Sequence, residues 1–136
     1  MSTNYKNIGV WVLRLLAAAI MLQTLYFKFT ASEESVFIFT KLGMEPYGRI
    51  GIGVMELIAS ILILYPKTTV YGAVLAIGLM AGALFFHISK LGIEVQGDGG
   101  QLFIYALLVL LAALWLFFIY RNQLYNLLRI NTKYRL

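Results

Sequence analysis

Apolar residues fall in four long blocks, at about 8–29, 47–65, 70–88 and 102–120, separated by turn-rich or charged stretches. Each block is close to the ~20 residues that a helix needs to cross the hydrocarbon core of a bilayer. The pattern predicts an all-α fold: a single domain over 1–136, built as an integral membrane four-helix bundle. Pro66 closes the second block. Between the first two spans, Ser32-Glu33-Glu34-Ser35 precedes Val36-Phe37-Ile38-Phe39. Ser32 suits an N-cap and the acids suit a first turn, so a short interfacial helix is expected in this first outer loop. After the fourth span, the tail 121–136 mixes Leu124, Leu127 and Leu128 with basic residues. It is expected to lie on the membrane surface as a short amphipathic helix.

Within the blocks the polar residues sit at helical spacing. At 100° per residue, Arg49, Gly53, Glu56 and Ser60 share one stripe of the second span. Ala76, Met80, Ala83 and His87 share one stripe of the third. Arg14, Ala17, Ala18, Met21, Leu25 and Lys28 lie roughly together on the first, and Gln23 points away from them. Three helices thus each offer an inward face of small residues with at least one ionisable group. Gly78 and Gly82 form G-x-x-x-G on the third span, a pattern that lets helices pack closely.

Composition strengthens the membrane reading. The chain is 61% hydrophobic and only 12% charged, against roughly 25% charged in soluble domains. The net charge of +5 is distributed by side. Lys6, Lys67, Arg121, Arg129, Lys133 and Arg135 lie on the face shared by the two termini and the middle loop, without an acid. Glu33, Glu34, Glu45, Glu94 and Asp98 lie on the other face, against Lys41 and Lys90. The positive-inside rule then places both termini in the cytoplasm. A basic cytoplasmic rim is a topology signal, so nucleic acid is not an expected partner; the lipid bilayer is. The first span is expected to be retained, since its apolar run is long for a signal peptide and carries Arg14 and Lys28.

Candidate chemistry follows from the intramembrane charges, which are costly in lipid and therefore candidate functional groups. With no cysteine and one histidine, thiol chemistry and a multi-His metal site are not expected. Haem would lack an evident second axial ligand. Glu56 lies near the midplane, and Arg14 lies only about 4–5 Å from it along the membrane normal at 1.5 Å per residue. An Arg14–Glu56 ion pair is one expectation. The other makes Lys28, Glu56 and His87 a ligand-binding or proton-carrying set near the outer face, across a longer gap from Lys28 to Glu56. Gln23, Arg49 and Tyr105 are secondary candidates, with Asp98. Gly97-Asp98-Gly99-Gly100 reads as a turn in which Asp98 helps cap the fourth span.

The ordered set of these residues resembles the DoxX family of small bacterial membrane proteins. It comprises Arg14, then LQTLYFKF with Lys28, the Leu42-Gly43-x-x-Pro46 loop, Gly53-x-x-Glu56-Leu57, and GLMAGALFFH ending at His87. The resemblance runs over about Leu13–Ala112 and implies a four-span bundle in the bacterial inner membrane. It also implies association with membrane redox systems, since relatives include the membrane subunit of a thiosulfate:quinone oxidoreductase and members of oxidative-stress complexes. Three readings stay open on these grounds. One is an accessory or quinone-linked redox subunit, in which Lys28 and His87 donate hydrogen bonds to a quinone or small oxyanion. The second is a small transporter or ligand-binding protein. The third is a non-catalytic scaffold for another membrane protein or a homo-oligomer. Whether the chain has catalytic activity of its own is left open.

Overall fold

The computed structural model describes the backbone of residues 2–133, and the side chains of residues 7–127 and of Arg129. The described residues form helices α1 (Ser2–Phe29), α2 (Glu33–Lys41), α3 (Tyr47–Leu64), α4 (Thr69–Phe86) and α5 (Gln101–Lys133), with a π-helical turn at His87–Leu91 prolonging α4. Four segments are long and apolar enough to span a bilayer: Asn7–Phe29, Tyr47–Leu64, Thr69–Leu91 and Gln101–Leu127. The chain is a multi-pass membrane protein. The four expected blocks map onto these segments, and the short helix expected after the first span is α2. Its N-cap forms as the sequence predicts, with the Ser35 amide donating to the Ser32 hydroxyl oxygen at 3.2 Å.

The four spanning helices close a ring in which α1 packs on α3 and α5, and α4 packs on α3 and α5. Water does not drive this packing in lipid, so small residues that admit close backbones define the seams. Ala17, Ala59, Ala73, Ala76, Ala112 and Ala113 are buried, with Met21, Ile63, Val109 and Leu116 filling between them. The large apolar residues point the other way: Leu15, Val54, Phe85, Leu111, Trp115 and Phe118 are exposed on the lipid-facing rim.

Gly72 sets the tightest seam. A Cβ there would lie 2.6 Å from the Ile63 nitrogen and 2.8 Å from the Ala59 oxygen, both backbone atoms of α3. Gly53 plays a related role between α3 and α1, where a Cβ would lie 2.7 Å from the Phe29 ring. The G-x-x-x-G pair does something else. A Cβ at Gly78 or Gly82 meets nothing within 4 Å, so these glycines do not bring two helices together. Helices α3 and α4 come into close contact at Gly72.

The tail also departs from expectation. No surface helix turns off after the fourth span: α5 continues unbroken from Gln101 to Lys133. No Gly or Pro interrupts residues 121–133, and Gln123 fastens the extension to the α3–α4 connection. Its side-chain amide donates to the Pro66 oxygen at 2.6 Å and accepts from the Val70 amide at 3.2 Å. Residues 134–136, and with them Arg135, lie outside the described residues.

Candidate functional site

Glu56 is paired with Lys28, not with Arg14. The Lys28 ammonium lies 2.8 Å from Glu56 Oε1, and the Thr24 hydroxyl donates to Oε2 at 2.7 Å. Side-chain direction explains the choice. Every Cα–Cβ bond in a helix tilts toward the helix N-terminus. On α1 this aims Lys28 down into the membrane and aims Arg14 away from Glu56. On the antiparallel α3 it aims Glu56 up toward Lys28. Axial rise alone, without this tilt, favours Arg14.

Arg14 satisfies a different need. A helix leaves its last carbonyls without partners, and lipid offers none. Arg14 Nε donates to the Ile63 oxygen at 2.8 Å and Nη2 donates to the Leu64 oxygen, closing the C-terminus of α3. Its guanidinium also lies over the Trp11 ring at 3.9 Å. Arg49 returns the arrangement at the opposite end. Its Nη1 donates to the Lys28 oxygen at the C-terminus of α1, and Nε and Nη2 grip the Glu45 carboxylate at 2.9 Å. Two arginines on antiparallel helices thus cap each other's partner helix. Both are structural and stand outside the cavity described next.

A cavity of about 260 Å³ lies in the half of the bundle that carries α2. Lys28, Glu56 and Thr24 form its polar floor, and Met21, Met80, Ala83 and Ala106 its apolar wall. Helix α2 roofs it with Ser35, Ile38 and Phe39. His87 and Tyr105 complete the wall. The three principal candidates, Lys28, Glu56 and His87, therefore share one chamber, as does Tyr105. Gln23 is exposed on the opposite side of α1, and Arg49 and Asp98 are not among the lining residues.

His87 is 5% exposed and opens the π-helical turn, a widened turn common at functional sites. Its Nδ1 lies 2.9 Å from the Gly92 oxygen, and its ring stands edge-on to Phe103 at 5.8 Å. A carbonyl only accepts, so Nδ1 carries the hydrogen and the neutral ring presents Nε2 as an acceptor. Nε2 has no hydrogen-bond partner among the described residues. With this tautomer the neutral ring offers a ligand an acceptor at Nε2, where the sequence led us to expect a donor.

Two carboxyl groups lie outside the spans at this end of the bundle, and of the two only Glu34 lines the cavity. Asp98 accepts from the amides of Val95 at 3.0 Å, Gly100 at 2.8 Å and Leu102 at 3.3 Å, tying the loop to the start of α5. Burial works against its charge, but these backbone hydrogen bonds and the nearby His87 outweigh it and hold the carboxyl below its usual range. Glu34, on α2, lines the cavity and buries one carboxylate oxygen without a partner. Burial and the Asp98 charge push its pKa up. Tyr105 accepts from Gln101 Nε2 at 2.7 Å.

Sequence reasoning passed over Thr24 and Glu34. The signal for Thr24 was its place one turn before Lys28 on the inward face of α1. Glu34 read only as a helix-start acid, because the folding of α2 over the bundle is not written in its local pattern.

No curated protein and no solved structure matches the chain significantly. A family model described as "DoxX-like family" matches residues 12–117, from Val12 on α1 to Phe117 on α5. That stretch takes in the whole cavity, both arginine caps and α2, and it is well over half of the sequence: the chain belongs to the DoxX-like family.

Proposed function

We propose that this protein is a quinone-linked or accessory subunit of a membrane redox assembly in the bacterial inner membrane, with its termini in the cytoplasm and the α2 end facing outward. The observation that carries the reading is the cavity itself: an apolar chamber with a buried Lys28–Glu56 pair on its floor and an unpartnered His87 Nε2 in its wall. Size fits. Cavities of about 150 Å³ take benzene, and this one of about 260 Å³ has room for a substituted six-membered ring.

The residues suit the two ends of a quinol. Lys28 keeps donors beyond the one spent on Glu56 and would hold a ring oxygen. His87 Nε2 would accept from a ring hydroxyl. When bound, a quinone supplies two-electron chemistry coupled to protons. The residues of this cavity handle the proton side, and the electrons belong to a partner subunit. A small cation exporter needs a membrane carboxylate without a permanent cation partner; the 2.8 Å Lys28–Glu56 pair weighs against that alternative.

The test is quinone content and affinity. Protein purified from native membranes is expected to carry quinone in its lipid extract. In nanodiscs, His87→Ala and Lys28→Met are each expected to weaken decyl-benzoquinol binding about tenfold or more, a loss of ~1.4 kcal/mol. Unchanged affinity in both variants would remove the proposal.

A further inference from the structure

The cavity wall reaches the α3–α4 side of the bundle. At Gly72 the helices α3 and α4 are in backbone contact. Six and ten residues further along α4, at Gly78 and Gly82, no heavy atom lies within 4 Å of a would-be Cβ. Both glycines line the cavity, with Ile52 of α3 and Phe86 of α4. Gly78 is also exposed on the outer surface of the bundle. One residue therefore touches both the chamber and the surroundings. At 1.5 Å per residue, Gly78 stands roughly 13 Å from the start of α4, within the hydrocarbon core. The surroundings at that height are acyl chains, and the exposed neighbours Val74 and Phe85 are apolar.

From this we infer that the gap between α3 and α4 at Gly78 and Gly82 is a lateral portal into the bilayer. An amphiphile enters through it from the lipid, lodges its polar head against Lys28 and His87, and leaves its apolar tail in the gap. Glycine is suited to the lintel because any larger side chain would narrow the gap. His87 is the independent sign of a ligand: it is buried and its free nitrogen borders the chamber. Helix α2 closes the chamber from above, which makes the side route the shorter one for a lipid-soluble molecule. The inference deepens the quinone reading and rests on it for the head group, but the portal itself rests on the helix geometry alone.

The chain has no cysteine, so a single Gly82→Cys carries one nitroxide label in nanodiscs. Collisions with oxygen, which partitions into lipid, and with a water-soluble nickel chelate report what reaches the label. High oxygen and low chelate access is expected, as at a lipid-facing site. Decyl-benzoquinone should reduce oxygen access, and the same ring without its tail should not. High chelate access, or exclusion of both, would overturn the portal. Lipid access without any response to decyl-benzoquinone would uphold the portal and remove the quinone as its occupant. In unlabelled protein, Gly78→Leu with Gly82→Leu should weaken the tailed quinone about tenfold and leave the tailless ring unchanged. Equal losses for both would overturn the tail's place in the gap. The Cβ space at both positions lets these variants fold; thermal unfolding checks that they do.

Discussion

Glu56 shows how a single direction decides a partner. Its position was visible at once as a carboxylate in an apolar run, and its stripe with Gly53 and Ser60 was visible from spacing. Which cation it meets depended on the tilt of side chains toward helix N-termini, and that tilt favours Lys28 over Arg14. Removing one member of a buried pair leaves an uncompensated charge, which costs about 3–5 kcal/mol. Lys28→Met is therefore expected to lower stability by about that much in detergent unfolding. Lys28→Met with Glu56→Met should restore most of it, while still failing to bind quinol. Glu34 carries the residue-scale pH dependence. Its raised pKa means that the folded state binds the proton more tightly than the unfolded chain. Stability should therefore fall as pH rises from about the ordinary value of 4.5, and Glu34→Gln should flatten that slope in a pH series of melting curves. Asp98 acts in the opposite sense, with stability falling as pH drops below 3.8.

At the scale of the helices, ends and seams matter more than interiors. Arg14 read from sequence as a partner for Glu56 and Arg49 as a secondary site candidate, yet both spend hydrogen bonds on the final carbonyls of a neighbouring helix. Hydrogen bonds to charged groups are worth about 1.5–3 kcal/mol, so Arg14→Leu is expected to destabilise by about that much and leave quinol affinity unchanged. The glycines divide in the same way. Gly72→Ala forces a Cβ onto backbone atoms of α3 that have no freedom to step aside, and should lower the melting temperature sharply. Gly78→Ala fills open space and should be close to neutral. The helical lengths, α2 and its Ser32 cap were all legible, because hydrophobic period and capping are local. The roles of the glycines were not, because G-x-x-x-G states that two backbones are able to approach and leaves out whether a partner is there. The run of α5 past the membrane was also hidden, since its polar tail broke the apolar pattern but not the helix.

Across the whole molecule, four helices packed at small-residue seams and the short helix α2 enclose a chamber with a charged floor. The sequence pointed to Lys28, Glu56 and His87 as one set near the outer face, but not to α2 as the roof over them. The proposed orientation, with the α2 end outward, rests on the charge asymmetry of the loops. Photolabelling with a tailed azido-benzoquinone in native membranes, followed by mass mapping of the modified residues, reads occupancy of this chamber without relying on any activity. Labels are predicted on the cavity-lining parts of α1 and α4, around Thr24–Lys28 and Ala83–His87, and they should disappear when unlabelled quinone is in excess. Labels scattered over the lipid-facing rim at Leu111, Trp115 and Phe118, with none in the chamber, would contradict a quinone site there.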